Sequence, residues 1–350
     1  METIIETVDE NFIDEKIIAK AGEIIKAGGL VAFPTETVYG LGGDALNSES
    51  SKKIYAAKGR PSDNPLIVHI GNMKALEKIV KEIPKDAVSL ADAFWPGPLT
   101  MIFNKSDVVP YETTGGLDTV AVRFPSNKIA AAFIEASGGY IAAPSANISG
   151  RPSPTEAKFV IEDMDGRIDM IIDGGQSDVG LESTIADLTE GHPVILRPGY
   201  ITKEMLEEAL KKEVTWDRAI IDANCKTPPK APGMKYRHYA PKGELVIVEG
   251  DRQAVVEKIN SLAKEAKEQG FKTGIISTKE NAELFEADVI KCVGHQNRED
   301  EVAHNLFKIL REFDDENVDK MFSESFNGNG VGAAVMNRLL KAAGHQVISL

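Results

Sequence analysis

Residues 33–42 read FPTETVYGLG, and residues 58–70 read KGRPSDNPLIVHI. The first stretch leaves an apolar strand pattern, LVAF, through a Pro-Thr-Glu-Thr turn into Gly40, Gly42 and Gly43. The second sets Lys58 and Arg60 on either side of Gly59 and follows them with Asn64 and His69. A Lys and an Arg separated by the one residue that lets backbone approach a ligand closely suit a multiply charged anion such as a polyphosphate. KGR alone reads more simply as a surface turn with two solvated cations, and it is the whole arrangement that points to a ligand. A helix expected over about 49–57 and a buried strand PLIVHI put the pair on a helix-to-strand loop, where scaffolds commonly present ligand-binding groups.

Upstream, residues 14–27 place Ile17, Ile18, Ala21, Ile24 and Ile25 on one helical stripe, and Gly28-Gly29 supplies a stop. Downstream, helices are expected over about 73–81 and up to about 94, before WPGPLTMIF turns into a strand. In TVAVRFP, Val120, Val122 and Phe124 share one face and Arg123 projects from the other. A buried Arg there needs an anionic partner; the other reading is a solvated sheet face. After a helix over about 128–136, YIAAPSANISGRPSPT carries Ser145 and Asn147 off a strand end. They can donate to phosphate or ribose oxygens and are also the residues of any turn. Three further strands, DMIID, ESTIADL and PVILRPG, set Ser183, Thr184 and Arg197 beside glycine-bearing loops, and a helix over about 203–211 closes a first domain at 1–215.

Residues 216–243 end in KTPPKAPGMKYRHYAPKG, too rich in Pro and Gly for a packed element and too aromatic and basic for a passive spacer. Residues 244–350 alternate VI-rich strands with helices, which predicts a small parallel sheet covered on both faces. The loop NGNGVG at 327–332 opens the last helix but lacks dinucleotide-binding spacing, so a plain turn is the simpler reading.

At 350 residues and 42% hydrophobic content the chain has material for two cores. No run is long and apolar enough for a membrane span, and the acidic METIIETVDE is unlike a signal peptide, so a cytoplasmic location is expected. Cys225 and Cys292 lie far apart without a CxxC or His-rich setting, which suggests neither a disulfide framework nor a zinc site. A net charge of −14 argues against a broad nucleic-acid or membrane surface, so any polyanion must meet a local pocket. No P-loop, GxSxG or HExxH occurs. What remains is a scatter of cations and hydroxyls over one domain, the equipment of electrostatic phosphoryl or adenylyl transfer.

PTETVYGLG, KGRPSDNPL, WPGPLT, VAVRFP, PSAN, STI, LRPG and APGMKYRHYAP, in that order, resemble the YrdC-domain family, specifically its two-domain members, the threonylcarbamoyl-AMP synthases. The resemblance spans essentially the whole chain. It implies a YrdC-like α/β domain with a twisted mixed sheet flanked by helices, over 1–215. An ordered linker at 216–243 would fold over the active site as a lid, and a smaller Rossmann-like α/β/α domain would fill 244–350. The implied nucleotidyltransferase reaction takes L-threonine, bicarbonate and ATP to threonylcarbamoyl-AMP and pyrophosphate. Mg²⁺ would accompany ATP, with no metal ligand from protein side chains. The product would feed a tRNA threonylcarbamoyl transferase machinery, without stable direct tRNA binding or membrane attachment.

By the same resemblance Lys58 and Arg60 are the catalytic pair and hold the phosphates. Asn64, Thr119, Ser145, Asn147, Arg197 and Tyr236 surround the nucleotide, and Thr35, His69, Arg123 and Ser183 line the threonine pocket. A lone His at a strand end ordinarily just packs, so His69 enters through the resemblance alone. Ala231 stands where related chains often carry Ser, and it is left out of the site.

Three other readings compete. An RNA-binding YrdC-type module without adenylyl transfer would be salt-sensitive and inert toward ATP, against which stand the acidic total and the absence of an aromatic-basic stripe. A carbamoyl-adenylate step of hydrogenase maturation goes with zinc-finger modules whose CxxC pairs this chain lacks. If the C-terminal domain held the activity, a fragment beginning after about 215 would retain it, which is not expected.

Overall fold

The computed structural model describes residues 2–221, Ala231 and 238–350. Chain contacts divide it into two compact units, Met1–Ser149 with Pro154–Asp178 and Glu182–Lys235, and Gly150–Ser153 with Val179–Leu181 and Tyr236–Leu350.

In the first unit the chain runs β1 (Ile4–Thr7), α1 (Glu15–Lys26), β2 (Val31–Phe33), β3 (Gly40–Asp44), α2 (Ser48–Lys58), β4 (Ile67–Ile70), α3 (Met73–Ile79) and α4 (Lys85–Phe94). It continues through β5 (Leu99–Asn104), α5 (Tyr111–Thr114), β6 (Thr119–Arg123), α6 (Lys128–Ala136), β7 (Tyr140–Ala143), α7 (Ala157–Met164) and β8 (Met170–Asp173). The unit ends with β9 (Thr184–Asp187), β10 (Val194–Arg197), α8 (Lys203–Leu210), β11 (Thr215–Trp216) and α9 (Arg218–Ile221). The eleven strands form one mixed sheet, ordered β1-β8-β2-β3-β7-β4-β6-β5-β9-β10-β11. Parallel pairs such as β4 with β6 occur beside antiparallel ones such as β5 with β6.

The helix ends have physical causes. Asp14 caps α1 by accepting from Lys16 N–H, and Asn47 caps α2 by accepting from Glu49 N–H. Gly59 ends α2 in the left-handed region at φ 61°, with open space where a side chain would be. Two features depart from expectation. The glycine run after the PTET turn is itself a strand, β3, and the segment expected to hold only strands after residue 155 contains the helix α7. In β3 the missing side chains are a packing requirement. A Cβ on Gly42 would come within 2.9 Å of Ile141 and one on Gly43 within 3.1 Å of Ile54.

One face of the sheet carries Val68, Ile70, Met101, Phe103, Val120 and Val122 into the main core beneath α2, α3, α4, α7 and α8. Toward the β1 end, the opposite face packs Val31, Phe33, Ile141 and Met170 against α1 and α6. Further along that face, Ile67, Ile102, Ala121, Ile185 and Leu196 form a small apolar patch on which Ala231 is seated, fully buried.

The second unit contains β12 (Glu244–Glu249), α10 (Arg252–Glu268), β13 (Thr273–Thr278), a 3₁₀ turn (Ala282–Leu284) where a short helix was expected, β14 (Val289–Gly294), α11 (Glu299–Asp315), β15 (Lys320–Glu324), α12 (Val331–Ala342) and β16 (Val347–Ser349). Its strands pair in parallel in the order β14-β13-β15-β12-β16. Ile275 packs against α10 while the adjacent Gly274 abuts Phe313 of α11, so helices cover both faces, as the sequence predicts.

Candidate functional site

Strand register builds the site. His69 of β4 pairs with Arg123 of β6, which pairs with Thr100 of β5, so alternation puts all three on one polar row. The next row on that face is Ile67, Ala121 and Ile102, the apolar patch under Ala231. A polar strip therefore lies between the α1/α6 cluster and that patch.

Arg123 is buried, and it does have an anionic partner. Its Nη2 lies 2.8 Å from Glu36 Oε2, an ion pair whose alignment falls short of a hydrogen bond. Nη1 donates to Thr37 Oγ1 at 2.7 Å and Nε to the Gly97 carbonyl at 3.4 Å. Thr35 Oγ1 sits 2.9 Å from Thr37 Oγ1 and donates to the Val38 carbonyl at 2.6 Å, which tightens the PTET turn around the guanidinium. His69 meets the edge of Phe33 with ring centroids 6.1 Å apart, and its Nδ1 faces the Ile67 carbonyl at 3.2 Å. Burial, reinforced by the positive charge of Arg123, pushes the His69 imidazole down to about 3, so it is neutral at ordinary pH.

A second group adjoins through β5. Ser183 Oγ lies 2.7 Å from Thr100 Oγ1, and Arg197 donates through Nε to the Ser183 carbonyl at 3.0 Å and through Nη2 to Ser183 Oγ at 3.1 Å. This contact joins Arg197, expected near the nucleotide, to Ser183, expected near threonine. The close fit is backed by Gly199, where a Cβ would stand 2.4 Å from Thr184 N and 2.8 Å from Ser183 C.

The third group surrounds Lys58, the last residue of α2, which is only 2% exposed. Its Nζ donates to the Ser145 and Asn147 carbonyls, each at 2.5 Å, and Ser145 Oγ donates to Asn147 Oδ1 at 2.5 Å. A bridge from Ser145 to Gly40 ties this loop to β3. Arg60 points back along its own loop, with Nε donating to the Asn64 carbonyl at 3.2 Å and an Nη to the Pro65 carbonyl at 3.1 Å. Thr119, at the start of β6, is four residues from Arg123, or ~13 Å along a strand. Tyr236 and residues 222–230 and 232–237 of the linker lie outside the described residues.

Sequence reasoning did not single out Glu36 or Thr100. Glu36 had one signal, an acid among three hydroxyl-bearing or cyclic turn residues next to a buried strand; Thr100 had only its alternation with Leu99 and Met101.

The family model described as "Telomere recombination" matches residues 23–199, and that described as "Threonylcarbamoyl-AMP synthase, C-terminal domain" matches residues 201–344. A Pyrococcus abyssi protein named threonylcarbamoyl-AMP synthase is 50% identical over 348 residues, covering 99% of this chain and 100% of its own. A Bacillus subtilis protein of the same name is 47% identical over 345 residues, 98% of each chain. The crystal structure of P. abyssi Sua5 complexed with L-threonine matches with a TM-score of 0.93 at 50% identity, over 99% of this chain and 100% of that one. With both domains matched in order along nearly its full length, the chain belongs to the threonylcarbamoyl-AMP synthase family of enzymes, in its two-domain form.

Proposed function

We propose that the protein makes L-threonylcarbamoyl-AMP from L-threonine, bicarbonate and ATP, releasing pyrophosphate and water, as the first step of threonylcarbamoyl-adenosine formation next to the anticodon of tRNA. A cytoplasmic setting belongs to this reading; among the described residues no helix is long and apolar enough to cross a membrane. The observation that carries it is the polar row of His69, Arg123 and Thr100, joined to Ser183 and Arg197, in a unit that also buries Lys58 against the Ser145 and Asn147 carbonyls. A solved relative at 50% identity was crystallised with L-threonine, which supports the same substrate here.

In this reading Arg123 takes the threonine carboxylate with its planar fork, with Thr35, His69 and Ser183 around the rest of the amino acid. The amine joins the bicarbonate carbon, water leaves, and a carbamate oxygen attacks the α-phosphorus while pyrophosphate departs. Negative charge gathers on the phosphates, so preorganised cations serve the chemistry better than a covalent nucleophile would. Lys58 and Arg60 fill that role, with Asn64, Thr119, Ser145, Asn147 and Arg197 around the nucleotide. Among the described residues no group of three or more His, Cys, Asp or Glu could hold a metal. In this reading Mg²⁺ is the counterion carried in on ATP.

Pyrophosphate release by the purified protein, with and without L-threonine and bicarbonate and beside Lys58→Ala, tests the proposal. Release that needs both co-substrates and collapses in the variant is expected. Release indifferent to threonine, or none at all, would overturn it.

A further inference from the structure

Buried carboxylates elsewhere in the molecule gather donors. Glu324, in the second unit and 8% exposed, accepts through Oε1 from Thr278 N–H at 2.7 Å and from Thr278 Oγ1 at 3.1 Å, and through Oε2 from Asn281 Nδ2 at 2.6 Å. Asp163 accepts from Ile148 N–H at 3.0 Å. Glu36 is the contrast: 5% exposed, it has no hydrogen-bond donor on either oxygen among the described residues. Among the described residues its neighbour of opposite charge is Arg123, whose Nη2 at 2.8 Å is itself unaligned for a hydrogen bond. Burying unpaired acceptors is costly, and a fold that keeps such a group holds it ready for a partner.

The missing partner must donate N–H or O–H and must tolerate Arg123 alongside. A lone cation would leave Arg123 without its counter-charge, and a lone anion would do the same to Glu36. A zwitterion with its two charges on adjacent carbons satisfies both, its carboxylate on Arg123 and its ammonium on Glu36, and the site's net charge is unchanged. His69 does not compete for the ammonium's proton, since burial and Arg123 hold it neutral and its Nδ1 faces the Ile67 carbonyl.

We propose, building on the function proposed above, that Glu36 is a catalytic residue that receives the ammonium of the amino-acid substrate and takes the proton that makes it a nucleophile. The nitrogen gives one proton to the Glu36 carboxylate and attacks the bicarbonate carbon. The new N–C bond forms as a C–OH bond breaks, and the departing hydroxide leaves as water with a second nitrogen proton. One carbamate, one water and one protonated Glu36 result, and charge balances.

The test is calorimetric binding of L-threonine and of (2S,3R)-2,3-dihydroxybutanoate, in which a hydroxyl replaces the ammonium, to the full chain, Glu36→Gln and Glu36→Asp. Wild type should prefer threonine by about 10–100-fold, the span of one charge-assisted bond, with the preference lost in Glu36→Gln and partly kept in Glu36→Asp. At saturating threonine, Glu36→Gln should also lower kcat by about 10²-fold or more. A Glu36→Gln protein that keeps the wild-type preference and kcat overturns the proposal. Should that variant fail to fold, wild type binding both compounds equally overturns it alone. Wild type that binds neither sinks the proposed function, and this inference with it.

Discussion

Arg123→Met removes the guanidinium and leaves Glu36 as a lone carboxylate that is 5% exposed. Breaking a buried pair from one side costs about 3–5 kcal/mol, because the surviving charge is left uncompensated. The hydrogen bond to Thr37 Oγ1 at 2.7 Å is lost as well, for about another 1 kcal/mol. In a unit of this size each kcal/mol is worth about 2–4 °C of Tm, so the first unit should melt about 8–24 °C lower. The double variant Glu36→Leu with Arg123→Met removes both charges and leaves no buried polar group in their place. Hydrophobic replacement of a whole buried pair is often close to neutral, so it should recover most of the loss. Scanning calorimetry on wild type, both single variants and the double closes the cycle. A fall of under about 2 °C in Arg123→Met, or a double variant as unstable as the sum of the singles, would refute the view that these residues form one electrostatic unit.

Lys58→Met keeps most of the length of the side chain but removes the charge that bridges the Ser145 and Asn147 carbonyls; ATP affinity should fall by about 10–100-fold in equilibrium binding while threonine affinity holds. His69 is protonated in the unfolded chain below about 6.5 but in the fold only near 3, so its contribution is complete above pH 6.5 and is lost as pH falls toward 3. His69→Gln should flatten the acid arm of the stability curve by about 1.4 kcal/mol per pH unit across that window, as read by urea unfolding; an unchanged slope would contradict a buried neutral imidazole. Gly199→Ala drives a Cβ into Thr184 and Ser183, and Gly22→Ala drives one to within 2.5 Å of the Ala136 carbonyl oxygen. Both should cost about 1–3 kcal/mol, but only Gly199→Ala should weaken threonine binding, as measured by calorimetry.

Elements with a local signature were legible in the sequence. α6 falls on the expected residues 128–136, and α1 within a residue of its expected ends, because an apolar stripe, a capping side chain and a stop coincide. Elements defined by distant partners were not. β3, GLGGD, has poor strand propensity and is a strand because β2 and β7 pair with it at close range. β1 is four residues long and is held by β8, over 160 residues away. α7 follows a Ser/Pro-rich stretch that reads as loop. The same division runs through the site. Isolated cations such as Lys58 and Arg123 stand out in an acidic chain, whereas Glu36 is one of 54 acids, and only the register that brings Arg123 beside it distinguishes it.

The central strands keep two trades on opposite sides of a backbone one residue thick. Along β6, Val120 and Val122 face the core while Ala121 and Arg123 face the site strip, and Ile67 to Ile70 of β4 alternate in the same phase. Saturation mutagenesis scored separately for abundance and for turnover should therefore show two out-of-phase combs along these strands, each with a period of two residues. A single-residue deletion in either strand would swap the combs, placing the guanidinium or imidazole in the core and a valine in the site, and would fail both assays at once.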